Sequence, residues 1–312
     1  MGAQIDGIIG ASLFKDFKIT VNYLTRQIRI ESSGKRATSC RKCSILPIRF
    51  KNQKPLVNGF VTQDNGDVIE GDFLIDSGSS DAIWLFDQHK KVVKTSSFFP
   101  DFLGIGINGD VFGDRGKIPS FRLGSFNLEK VKVAYPDSVS AYETLIDGNR
   151  IGSIGGELLR RLKITFDYLN KQLTLKRNSK TFSPFYYNLS GIELQYKGEN
   201  LIKENISFVA DGRHRSQGER QNNGVKIFLT EVYRLRFQSI IEISNLRMGS
   251  PAALAGLKVG DVIVSINNKN VGDIKLQHMI QLFQQKPGTK IKLVVKRDGL
   301  KLIYRFVLKS LF

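Results

Sequence analysis

The sequence predicts a mainly β protein built from two related β-rich units, the first present only as a tail, followed by a further β-rich module with two helices. Three observations predict it: an internal repeat, a short apolar strand that delivers an aspartate into a Ser-Gly turn, and a C-terminal stretch punctuated by Pro and Gly at fixed offsets. The 312 residues suffice for two or three domains, and 41% apolar residues is ordinary for a folded chain.

The repeat comes first along the chain. Residues 5–30, IDGIIGASLFKDFKITVNYLTRQIRI, align without gaps on residues 150–175, RIGSIGGELLRRLKITFDYLNKQLTL, at an offset of 145 positions. Gly7, Gly10 and Leu13 match Gly152, Gly155 and Leu158. Lys18, Ile19 and Thr20 match Lys163, Ile164 and Thr165, and Tyr23, Leu24 and Gln27 match Tyr168, Leu169 and Gln172. Each copy reads as an apolar step into glycine, a short amphipathic helix, and two strands joined by a polar turn. Residues 1–43 are therefore expected to be the C-terminal tail of a first unit plus a link, and residues 44–178 a complete second unit. A lone tail would expose its apolar strand faces, so the rest of the first unit is expected upstream of Met1.

Within the second unit, Phe73-Leu74-Ile75 runs into Asp76-Ser77-Gly78-Ser79-Ser80, and an apolar stretch, Ala82-Ile83-Trp84-Leu85, follows. Ile154-Gly155 comes about 79 residues after Asp76. Apolar-Asp-Ser-Gly followed by apolar-apolar-Gly resembles the aspartic peptidases of the pepsin and retropepsin superfamily, over residues 1 to 178. Ser153 stands where that pattern has an apolar residue. The resemblance implies an acid-protease β-barrel lobe and an aspartic-type endopeptidase. Such an enzyme activates water between two carboxylates that share a proton. It implies that Asp76 is catalytic and that Gly78 donates its N–H to the Asp76 carboxylate. Ser77 would brace the loop across to the other lobe, and Ser79 would be a second partner of Asp76. Asp6 would be structural. The partner aspartate is expected in the missing first lobe, so the chain alone is expected to be inactive.

Competing chemistries lack their frames. His89, His214 and His278 are scattered, and no G-x-S-x-G or H-E-x-x-H occurs. Cys40 and Cys43 form a lone C-x-x-C with no second ligand pair, which leaves a redox pair, a small disulfide loop or incidental cysteines, and no metal or cofactor is expected. The glycine-rich run from Gly104 to Gly116 has no Gly-Lys-Ser/Thr ending and is expected to be a loop over or beside a cleft.

After a polar link, NSKTFSP, the C-terminal module begins. Ser250-Pro251-Ala252-Ala253-Leu254-Ala255-Gly256-Leu257 reads as a short helix with Pro in its first turn and Gly at its end. Val259-Gly260-Asp261-Val262-Ile263 turns into a strand, Leu276, Met279, Ile280 and Phe283 fall at helical spacing, and IKLVVKR closes with a strand. The SPA…AGL…GD.I..IN pattern resembles PDZ domains, a β-barrel with two helices, here over 179–312. The resemblance implies binding of an extended peptide as an added strand, with a C-terminal carboxylate cradled on backbone N–H groups. The loop Leu189-Ser190-Gly191-Ile192-Glu193-Leu194 is the candidate cradle, with Gly191 shaping it and Ile192 and Leu194 facing the groove. A long polar insertion at about 199–238, with the basic segment GRHRSQGERQNNG, departs from the pattern and is expected to be a flexible loop.

The net charge of +18 is spread along the chain instead of gathered in a stripe, so nucleic acid is not an expected partner. No apolar run is long enough to span a bilayer, and residues 1–10 have no basic and apolar leader pattern. The expected partners are peptide or protein substrates and a PDZ ligand, and the family resemblance implies a periplasmic or cell-envelope setting. The alternative expectation is an inactive peptidase-like protein that serves as a PDZ peptide-binding module.

Overall fold

The fold is that of a computed structural model describing residues 7, 9–32, 40, 42–106, 109–137, 150–207 and 231–311. Asp6 and the segment GRHRSQGERQNNG lie outside the described residues. The architecture is mainly β. A five-stranded sheet and a closed eight-stranded sheet precede a six-stranded C-terminal sheet.

The first sheet carries the repeat. A short helix, Ala11–Asp16, leads into β1 (Phe17–Asn22) and β2 (Gln27–Ser32). Next comes β3 (Cys43–Pro47), whose Cys43 is disulfide-bonded to Cys40. Strands β4 (Arg49–Lys51), β5 (Lys54–Thr62), β6 (Val68–Asp76), β7 (Ile83–Leu85), β8 (Phe98–Gly106), β9 (Gly109–Leu123), β10 (Phe126–Pro136) and β11 (Arg150–Gly155) build the closed sheet. A helical turn, Gly156–Leu159, then returns the chain to the first sheet as β12 (Leu162–Asp167) and β13 (Gln172–Arg177).

The order in the first sheet is β2-β1-β12-β13-β3. Strands β1 and β12 are repeat-equivalent and pair antiparallel, with Thr20 opposite Thr165. These two threonines are themselves repeat-equivalent, and their hydroxyls lie 2.8 Å apart. The sheet therefore has a local two-fold through that pair. On one side β13 is covered by β3; on the other β2 is the edge, with Ile28 57% and Ile30 50% exposed.

In the second sheet the order is β4-β5-β6-β11-β7-β10-β9-β8, and a β5–β9 pairing closes it on itself. Its interior holds Val57, Phe73, Ile83, Phe121, Val131 and Ile154, all buried. Such a barrel has few free edges. The glycine-rich run differs from the expected loop: most of it is strand, in β8 and β9. The reason is packing. A Cβ on Gly113 would meet the Tyr135 carbonyl, and one on Gly116 would meet Thr95, so glycine there lets neighbouring backbone pass close.

The NSKTFSP link is packed down. The Thr181 side chain is buried and donates to the Arg161 carbonyl at 2.7 Å, and Phe185 belongs to the barrel core under the Arg161 guanidinium. Beyond it the chain forms β14 (Ile192–Ser207), β15 (Glu231–Leu246), a short helix (Pro251–Leu254), β16 (Val262–Ile266) and β17 (Lys269–Asn270). A second helix (Leu276–Phe283), β18 (Lys290–Arg297) and β19 (Leu300–Val307) complete it. The order is β14-β15-β16-β18-β19, with β17 on β16. The polar insertion differs from the expected flexible loop over part of its length. Its two arms continue β14 and β15 as a paired hairpin, from Glu199 opposite Ser239 to Ser207 opposite Glu231. The second helix buries Leu276, Met279 and Phe283, one face of a 3.6-residue period. No helix among the described residues is long and apolar enough to cross a membrane.

Candidate functional site

Strand β6 ends at Asp76, which pairs in parallel with Gly155 of β11. The Gly78 N–H donates to Asp76 Oδ1 at 3.0 Å and the Ser79 N–H donates to the same oxygen at 3.3 Å. The Ser79 hydroxyl faces elsewhere and accepts from the Asp81 N–H at 3.3 Å. Ser77 and Gly78 are exposed, and Asp76 is half-buried. Gly155 supports the turn from behind, because a Cβ on it would strike the Asp81 carbonyl. The loop therefore presents one carboxylate held by two backbone N–H groups.

The buried charge lies next to that carboxylate, at Asp81. Its Oδ2 accepts from the Trp84 indole N–H at 2.7 Å, and its Oδ1 is ion-paired with Arg115 Nη1. Arg115 Nε donates to Asp101 Oδ2 at 2.8 Å. Asp101 in turn pairs with Arg247 of the C-terminal module at 3.4 Å. Arg247 stacks on Phe99 and donates to the Asn188 carbonyl at 3.1 Å. A continuous line of buried charges thus runs from the Asp76 loop to the loop before β14. Burial opposes the Arg115 charge, but Asp81 and Asp101 outweigh it and hold its pKa above the ordinary range. Glu193 sits beside this line. Burial, with Asp101 and Asp81, pushes its pKa up to about 7, against the pull of Arg115 and the Asn188 carboxamide.

At the start of β14, Gly191 has φ +80°, and a Cβ on it would collide with Ser250. Glycine is thus required both for the left-handed turn and for the close approach. Ser250 caps the helix Pro251–Leu254, its Oγ accepting from the Ala253 N–H at 3.3 Å. The N–H groups of Ser190 and Gly191 converge on Asn188 Oδ1, and that of Ile192 donates to Ser190 Oγ. The Leu189 N–H donates to the Phe283 carbonyl at 2.9 Å and ties the loop to the second helix. Ile192 and Leu194, expected to face the groove, are 1% and 5% exposed and pack in the module's core. Alternation along the strand turns Glu193 the other way, toward Arg115.

Sequence reasoning singled out Asp76, Ser77, Gly78, Ser79, Gly191, Ile192 and Leu194. It missed Asp81, Asp101, Arg115, Arg247 and Asn188, which join the two modules. One signal was available: an Asn two residues before a Ser-Gly step is an Asx-turn pattern. Among the described residues no cluster of His, Cys, Asp and Glu could hold a metal ion.

Comparison with known proteins bears on the C-terminal module. A PDZ domain family model matches residues 242–297. Serine endoprotease DegS of Salmonella typhimurium is 36% identical over 70 residues, 22% of this chain and 19% of that protein. Carboxy-terminal processing protease CtpA of Bacillus subtilis is 40% identical over 60 residues, 19% of this chain and 13% of that protein. The chain thus spans less than a fifth of the length of either curated relative. Among solved structures, the HtrA-type protease AlgW with decapeptide aligns over 95% of this chain and 80% of that chain, at 12% identity and a TM-score of 0.23. Basic 7S globulin from soybean aligns over 51% and 60%, at 7% identity and a TM-score of 0.28. Overlaps this loose carry no argument about fold.

The expectation of an aspartic endopeptidase with a pepsin-like or retropepsin-like lobe is corrected by these relatives. One curated match is named a serine endoprotease and the other a carboxy-terminal processing protease. The physical reason is that a Ser-Gly turn after an apolar strand is a common way to bind one carboxylate. The chemistry needs two, and the neighbouring acid, Asp81, is neutralised by Arg115. Of the histidines, His89 accepts from the Lys91 N–H through Nδ1 at 3.2 Å. What the match and the fold establish together is that this chain carries a PDZ domain in its C-terminal part.

Proposed function

We propose that the chain is a peptide-binding protein whose PDZ domain takes an extended polypeptide as an added strand along β14, beside the helix Leu276–Phe283. The observation that carries this reading is the position of β14. It ends its sheet and pairs only with β15 among the described residues, so one row of backbone N–H and C=O groups has no strand partner. An open edge of this kind recruits a further strand through main-chain hydrogen bonds. The two curated relatives are named proteases, so a polypeptide is the ligand class their shared segment would meet.

The test is binding of a fluorescein-labelled decapeptide library to the full chain, followed by hydrogen exchange on the best binder. Protection gained along 192–198 and 276–283 supports the reading. Protection confined to the barrel, or no binding across the library, overturns it.

A further inference from the structure

Resting on the peptide-binding reading, we propose that the groove accepts an interior stretch of an extended chain and not a free C-terminus, because the loop's own side chains already occupy the place of a terminal carboxylate. The three N–H groups that would cradle a carboxylate are all satisfied from within. Those of Ser190 and Gly191 donate to Asn188 Oδ1 at 3.1 and 3.2 Å, and that of Ile192 donates to Ser190 Oγ at 3.0 Å. The Ser190 hydroxyl adds a third donor to Asn188 Oδ1 at 2.7 Å. A concave run of N–H groups is an anion-binding nest; here the carboxamide oxygen is the guest.

That guest is held on its other side as well. Asn188 Nδ2 donates to the Ile192 carbonyl at 2.7 Å and to Glu193 Oε1 at 3.3 Å. The Asn188 carbonyl accepts from Arg247, whose guanidinium also meets Asp101 and the Phe99 ring. The Arg247 N–H donates to the Gly191 carbonyl at 2.9 Å. Ser190 is 0% exposed and Gly191 and Ile192 are buried, while Asn188 is half-buried. An incoming carboxylate would have to break these bonds and would enter beside the acids Glu193 and Asp101. An interior segment needs none of this, since it uses only the free edge of β14 farther along the strand.

The experiment compares each decapeptide as free acid and as C-terminal amide, by fluorescence polarisation against the full chain. Acid and amide are expected to bind within about threefold of each other. Appending further residues to the C-terminal end should leave affinity unchanged. Asn188→Ala empties the nest and is expected to create an acid preference of about tenfold, whereas Asn188→Asp keeps an acceptor there and should keep parity. A tenfold acid preference in the unaltered chain overturns this inference and leaves the peptide-binding reading standing. No binding in either format overturns both. If Asn188→Ala does not fold, the acid–amide comparison on the unaltered chain decides alone.

Discussion

Replacing Arg115 with methionine should loosen the PDZ domain from the barrel and destabilise the chain. The guanidinium is buried between Asp81 and Asp101, whose side chains are 7% and 9% exposed. Methionine keeps most of the stem and removes the charge, which strands two carboxylates out of water. Removing one partner of a buried ion pair costs about 3–5 kcal/mol. Asp101 keeps Arg247 and Asp81 keeps the Trp84 indole, so the lower end, about 3 kcal/mol, is expected. At about 2–4 °C per kcal/mol for chains of this size, the unfolding midpoint should fall by about 6–12 °C. Scanning calorimetry measures the shift, and limited proteolysis in the 178–184 link reports whether the modules separate. A fall of less than about 2 °C would refute the reasoning. So would a triple variant, Arg115→Met with Asp81→Asn and Asp101→Asn, that is no more stable than Arg115→Met alone, because the cost is assigned to unpaired charge.

Glu193 gives a pH dependence whose sign follows from its raised pKa. The folded state keeps a proton that the unfolded chain releases, so this group's stabilising contribution is whole below about pH 4 and is lost as pH rises toward about 7. Urea midpoints measured across that window should drift down in the unaltered chain and flatten in Glu193→Gln; an unchanged slope in the variant counts against the assignment. The repeat offers an internal control for the glycines. Gly155→Ala drives a Cβ into the Asp81 carbonyl and should cost about 1–3 kcal/mol, whereas the repeat-equivalent Gly10→Ala meets nothing within 4 Å and should be near neutral in a denaturation assay. In the C-terminal module, Gly191→Ala combines a left-handed φ with a collision against Ser250, and should abolish peptide binding or folding of the PDZ domain while the barrel's own near-ultraviolet dichroism persists.

Local pattern was enough for the mainly β class, for the helix capped by Ser250, for the buried face of Leu276, Met279 and Phe283, and for the repeat whose Thr20 and Thr165 meet in the first sheet. These features are written in spacings of a few residues, or in a copied segment, and steric propensity reads them directly. The aspartic-peptidase expectation failed at the step from a local turn to a two-centre chemistry: Asp76-Ser77-Gly78 specifies a bound carboxylate and says nothing of a second. The glycine-rich run was misread for a related reason, since Gly113 and Gly116 are demanded by Tyr135 and Thr95, which approach only in the folded barrel. The seam between the modules was equally invisible. Arg115 finds Asp81 34 positions away, and Arg247 finds Asn188 59 positions away. Each is an ordinary charged or polar residue in its own segment. Only tertiary packing removes the water between them, and with it the dielectric screening that leaves isolated charges silent in the sequence.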